Sequence, residues 1–222
     1  VINEVMYHPA SENPLEEWME FKNIGAQPMS TAGWRITAGI DYTFPAVNVP
    51  AGGFLVVAAN LAAFQAANPT FSGQVVGGWT GQLSNSGENI DLTDNFGQVV
   101  DTVDYADDGD WAQRRMMPDE NGTNTSGWEW IAFHDGGDLF DDDNDPETDP
   151  IFRTATLELI NPLLSNEAGQ NWLSSNTPAG TPGTQNSVAA TNVAPLIVDV
   201  SHAPAIPTSN DKVYVTANLR DE

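Results

Sequence analysis

The chain has 222 residues, 31 of them acidic and 7 basic, for a formal net charge of -24, and it contains no cysteine. Nucleic-acid phosphates and anionic membranes are bound through Lys and Arg, so this surface excludes both and favours cations or basic ligands. Disulfides and thiol chemistry are excluded outright, while a hydrophobic share of 40% with seven Trp and nine Phe is enough for a real core.

The first strand signal is residues 2–7. A chain that opens inside a strand and closes on Arg220-Asp221-Glu222 reads as cut from a longer protein. No signal-peptide pattern occurs, and no apolar run approaches the ~18 residues that span a bilayer. Residues 17–23 form the second strand, with Met19 and Phe21 on one face. Residues 34–38 follow a turn at Ala32-Gly33, and residues 42–44 end against Pro45. The turn Pro50-Ala51-Gly52-Gly53 precedes the continuous apolar run 54–59, suited to a strand buried on both faces. Asn60 caps one short helix over 61–67, which Asn68-Pro69 stops. Residues 90–94 alternate, turn at Asn95-Phe96-Gly97, and pair with 99–105 as a hairpin. Strict alternation puts Asp101 on the face of Val99, Val103 and Tyr105. Asp101 is therefore either buried with hydrogen-bond partners or displaced by a bulge.

Residues 107–153 break this rhythm with Asp, Gly and Asn around Trp111, Trp128 and Trp130. A segment of that length between strands is more often functional than idle. Residues 154–160 restore a strand, 177–186 read as a closing loop, and 187–192 as a linker. Two last strand signals, 196–200 and 213–219, are too short to bury a core alone. They are the opening of a second, truncated β-domain over 193–222, or strands borrowed by the first. The pattern throughout is all-β, with short strands and turn residues between them.

Taken together, these pieces resemble one family. Ile2-Asn3-Glu4-Val5-Met6-Tyr7 with Glu17-Trp18-Met19-Glu20-Phe21-Lys22-Asn23 is similar to the opening of the lamin tail domain family. Gly33-Trp34-Arg35-Ile36, Phe44-Pro45 and the run from Val49 to Ala58 look like its centre. Leu83 to Leu92 and Val99 to Tyr105 continue the likeness. Thr156-Leu157-Glu158-Leu159, Asn171-Trp172 and Gly180-Thr181-Pro182-Gly183-Thr184-Gln185-Asn186 look like its end. The resemblance runs over residues 1–186 in order, apart from an insertion at 112–153 on which it is silent. It implies an immunoglobulin-like antiparallel β-sandwich, found as an accessory module of exported and cell-surface bacterial proteins. The family carries no catalytic residues to transfer. Ser84-Asn85-Ser86-Gly87 is most simply a turn whose side-chain oxygens satisfy backbone donors.

The strongest chemistry in the sequence is acidic. Asp138, Asp141, Asp143, Asp145, Glu147 and Asp149 crowd one segment, and Ca²⁺ takes six to eight oxygen ligands in flexible geometry. The run is no EF-hand: with Asp141 as the first position, the sixth is Pro146 and the twelfth Phe152. A solvated acidic loop is the plain alternative. His8, His134 and His202 are far apart, and no zinc or nucleophile-elbow motif occurs. His134 beside Asp135 is a metal pair, a general base or simply a loop histidine. Trp111, Trp128 and Trp130 are either core filling or an aromatic platform for sugar rings.

The expectation is a non-catalytic binding, adhesion or scaffold module of an exported bacterial multidomain protein, secreted or at the cell surface and stabilised by calcium. Its partners would be other domains of the same chain and a cell-surface protein or polysaccharide, with no nucleic acid and no membrane insertion. The alternative is part of a secreted metal-dependent hydrolase using His134 and the aspartates. Against it, the sequence has carboxylates for a hard cation but no His or Cys set to make a nucleophilic water.

Overall fold

The computed structural model describes residues 1–118, 125–131, 155–177 and 179–221, and of 113–118 and 125–131 the backbone only. Strands β1 (Ile2–Met6), β2 (Trp18–Lys22), β3 (Met29–Ser30), β4 (Arg35–Ile36), β5 (Tyr42–Thr43), β6 (Asn48–Val49) and β7 (Phe54–Ala58) precede helix α1 (Leu61–Ala67). After it come β8 (Val75–Gly77), β9 (Gly87–Thr93), β10 (Val99–Ala106), β11 (Gln113–Pro118) and β12 (Thr125–Ile131). The remaining strands are β13 (Leu157–Leu159), β14 (Trp172–Ser174), β15 (Leu196–Ala203) and β16 (Tyr214–Arg220).

Two sheets make the sandwich. One has the order β14-β13-β1-β2-β7-β8, the other β10-β9-β4-β5. Pairing is antiparallel except for β7 with β8. That pair is parallel because α1 carries the chain back to the strand start, the crossover that parallel neighbours require. Ile2, Val5, Met19, Leu55 and Leu157 of the first sheet pack against Ile36, Ile90, Leu92, Val103 and Tyr105 of the second, all at most 3% exposed. The expected immunoglobulin-like all-β sandwich with one short helix is what forms.

The helix forms where Asn60 dictates. Asn60 Oδ1 accepts from the backbone N–H groups of Ala62 and Ala63, each at 3.0 Å, satisfying donors that the first turn leaves open. Asn68 ends it, donating back to the Phe64 carbonyl at 3.1 Å. The helix buries Phe64 edge-on to Trp18, ring centroids 5.9 Å apart, within a second small core of Met6, Val56 and Ala58. This core lies on the outer side of the six-stranded sheet, since Met19 and Phe21 alternate inward with Trp18 outward.

Asp101 meets both expectations. The β9–β10 register shifts between Val99 and Asp101, and the half-buried carboxylate accepts from Ile2 N at 2.6 Å and from Asn166 Nδ2 at 2.7 Å. It thereby ties the second sheet to the first strand of the first. Asp101→Ala is expected to lower stability by ~1–3 kcal/mol through the two donors left unpaired. An unchanged urea midpoint would show that neither bond holds the sheets together.

The segment read as an irregular insertion contains β11 and β12, which pair as a two-stranded sheet from Gln113↔Ile131 to Pro118↔Thr125. Residues 187–190 hydrogen-bond onto the sandwich: Val188 N to Glu158 at 3.1 Å and Ala190 N to the Ile160 carbonyl, also at 3.1 Å. Strands β15 and β16 pair with each other. They join the sandwich at buried Leu196 and through Gln170, whose amide takes Ile197 N at 2.8 Å and gives to Ile197 O at 2.9 Å.

Candidate functional site

Alternation places Glu4, Glu20 and Glu158 on the outer side of the six-stranded sheet, and register sets them side by side. Glu4 stands opposite Glu158 on one neighbour and opposite Glu20 on the other. All three are 0% exposed. A carboxylate on an outer sheet face normally meets water, and these do not because the segment from Thr181 to Val188 lies over them.

That closing segment supplies most of their hydrogen-bond donors. Glu4 accepts from Thr156 Oγ1 at 2.5 Å, Thr181 N at 2.8 Å and Thr181 Oγ1 at 3.1 Å. Glu20 accepts from Gly183 N at 2.5 Å and Asn3 Nδ2 at 2.9 Å. Glu158 accepts from Thr181 Oγ1 and Ser187 Oγ, both at 2.8 Å, and from Val188 N. Asn186 completes the closure, its Nδ2 donating to the carbonyls of Asn3 and Leu159 at 2.8 Å each. Gly180 has a φ of +81°, and a Cβ there would overlap the Glu4 carboxylate and the Thr156 side chain. Only glycine suits that backbone and that approach.

Burial and mutual repulsion hold Glu4 and Glu20 toward their neutral forms. Glu4 is pushed well above the usual carboxylate range by desolvation first, then by Glu158 and Glu20. Glu20 is raised to about 7, chiefly by burial, with the Gly183 and Asn3 bonds and Lys22 opposing. At the helix end of the sheet Glu17, 1% exposed, is likewise raised to about 7 by burial while accepting from Leu83 N at 2.9 Å. Perturbed carboxylates clustered together mark a functional-site candidate. Here, however, each one holds a loop.

The ligand candidates read from the sequence fall elsewhere. Asp138, Asp141, Asp143, Asp145, Glu147, Asp149 and His134 lie outside the described residues. Trp128 and Trp130 stand on β12, whose side chains are likewise outside them. Trp111 is half-buried against Trp172, ring centroids 5.9 Å apart, and the two rings are tilted by 37°. It borders a groove of about 460 Å³ between the sandwich and the β15–β16 hairpin, with Asp110, Glu167, Gln170, Asp199 and Arg220. Trp111 thus packs on the core and also lines the groove. Among the described residues, no group of three or more acidic or histidine side chains is arranged to hold a metal ion, and no helix is long and apolar enough to cross a membrane. Ser84 is the expected turn, its Oγ accepting from Ser86 N at 3.2 Å. Its carbonyl also takes the Tyr105 hydroxyl at 2.6 Å.

The two-sheet arrangement is an immunoglobulin-like sandwich. The family model of the Lamin Tail Domain matches residues 1–107, just under half of the chain. The matched segment ends just after β10, while β13 and β14, beyond it, complete the same six-stranded sheet. No curated protein and no solved structure matches the chain.

Proposed function

We propose that the chain is a non-catalytic binding or scaffold module of an exported bacterial multidomain protein, secreted or held at the cell surface, with its acidic insertion stiffened by calcium. One observation carries the non-catalytic part: the buried carboxylates among the described residues accept hydrogen bonds from loop donors instead of facing a pocket. A general acid or base must reach a reacting atom, and these cannot while the closing segment covers them. The groove beside Trp111 supports the binding part, since an aromatic wall with carboxylate and amide neighbours suits a polysaccharide or a protein surface.

The test separates this reading from a metal-dependent hydrolase. The purified chain, with Ca²⁺, Mg²⁺, Mn²⁺ or Zn²⁺, is incubated with chromogenic phosphodiester, ester and glycoside substrates. The expected result is no turnover above buffer. Metal-dependent turnover that disappears in Asp141→Asn or His134→Ala would overturn the proposal and place an active centre in the insertion.

A further inference from the structure

The two sheets do not close completely at the end of the sandwich away from the helix. A cavity of about 280 Å³ opens there. Its walls are Phe21 and Leu55 from the six-stranded sheet, Leu92 from the other, and Phe44 and Val49. These residues belong to the main core and are at most 7% exposed. Around its mouth the apolar surface continues outward through Ile24 and Val100, 48% and 47% exposed.

Asn23, Thr31 and the Val1 nitrogen, polar groups in the wall, each have protein partners. Asn23 Nδ2 donates to the carbonyls of Gln27, Val49 and Pro50 at 2.9, 3.0 and 3.1 Å, and its Oδ1 accepts from Gly25 N at 2.9 Å. Thr31 Oγ1 donates to the Pro45 carbonyl at 2.9 Å and accepts from Val47 N at 3.3 Å. The Val1 nitrogen donates to the Lys22 carbonyl at 2.9 Å. The Lys22 amine is turned to the other face of the sheet, over the Phe54 ring at 5.3 Å from its centroid.

We propose that this cavity is a binding site for a small, uncharged, apolar molecule without hydrogen-bonding groups, of fused-ring or short-alkyl size. An apolar cavity of ~150 Å³ stays dry and accepts benzene, so the volume here suits roughly ten carbon atoms. The Val1 ammonium in the wall is already held by the Lys22 carbonyl and attracted by Asp101; a cationic head would have no counter-ion there, and a donor would be left unpaired at a cost. The site is separate from the Trp111 groove and stands or falls without it.

Thermal unfolding of the whole chain with naphthalene, and with indole as a ligand of similar shape carrying one N–H, tests the assignment. Naphthalene is expected to raise Tm saturably by about 2 °C or more, on the scale of ligand linkage in a chain of this size, and indole by less. Val49→Phe fills the cavity from a peripheral strand and should remove the naphthalene shift. Val100→Trp blocks the mouth from an exposed position and should do the same without disturbing the core. No shift with naphthalene, an indole shift as large as that of naphthalene, or a naphthalene shift that survives in either folded variant would overturn the proposal.

Discussion

Stability falls as the pH rises from 5.5 to 8.5, and Glu20→Gln makes that fall smaller, leaving the shares of Glu4 and Glu17. Glu20 has a folded-state pKa of about 7 against 4.5 for the free side chain. A carboxyl raised in this way binds its proton more tightly in the folded than in the unfolded chain. Its contribution is fully present below 4.5 and is lost as the pH rises through 7. A displacement of that size corresponds to roughly 3 kcal/mol, at 1.36 kcal/mol per unit. The groups facing Glu20 reinforce the sign: Glu158 and Glu4 repel its charge, Lys22 alone attracts it, and the closing segment offers the uncharged Gly183 N–H. Glu4, raised well above the usual range, acts in the same direction.

Glu20→Gln keeps the size but cannot ionise. Its NH₂ must also face either Gly183 N or Asn3 Nδ2, which costs about 1 kcal/mol at acid pH, one lost hydrogen bond. The variant should therefore be less stable than the parent at pH 5.5 and equal or better at pH 8.5. Urea midpoints at the two ends of this range measure the crossing. Parallel curves for parent and variant would show that Glu20 is hydrated in solution and that the closing segment does not cover it.

Why this row was invisible in the sequence is a matter of what covers the sheet. Period-2 alternation correctly set Met19 and Phe21 inward, which left Glu20 outward, and an outward glutamate reads as solvated. Thr181 reaches Glu4 from 177 positions away, a contact that no local pattern encodes. One signal was present. Met6 and Trp18 share the outer face with Glu4 and Glu20, and a face that mixes Trp with glutamate is covered by something. The helix over 61–67 was legible from Asn60 and Asn68-Pro69 because capping is local. Strands β3 and β6, of two residues each, are too short to show a period. β11 and β12 were hidden by the Asp and Gly around them.

The motifs that carried the family resemblance also converge here. Asn3, Glu4 and Glu20 from the opening strands meet Glu158 and the Thr181 to Asn186 stretch in one closure. Pieces that are each weak as sequence signals are thus one physical object, the fastening of the last loop onto the first strands. The acidic insertion is rich in like charges and contains no cysteine to pin it.

For that segment the expected result is a calcium-dependent rise in Tm. Asp138, Asp141, Asp143, Asp145, Glu147 and Asp149 place six carboxylates in twelve residues. A bound Ca²⁺ would relieve their repulsion and supply the counter-charge that such density demands. Binding to the folded state alone raises stability by RT ln(1 + [L]/Kd), about 2.7 kcal/mol at a hundredfold excess over Kd. For a chain of this length that is a shift on the order of 5–10 °C. Millimolar Ca²⁺ should exceed equal Mg²⁺, which demands tighter octahedral geometry, and should exceed NaCl matched for ionic strength. Replacing Asp141, Asp143 and Asp145 together by Asn should abolish the difference between the two salts. An equal shift in matched NaCl and CaCl₂ would reduce the segment to a screened acidic surface, and the calcium part of the proposed function would fall while the sandwich and its carboxylate fastening stand.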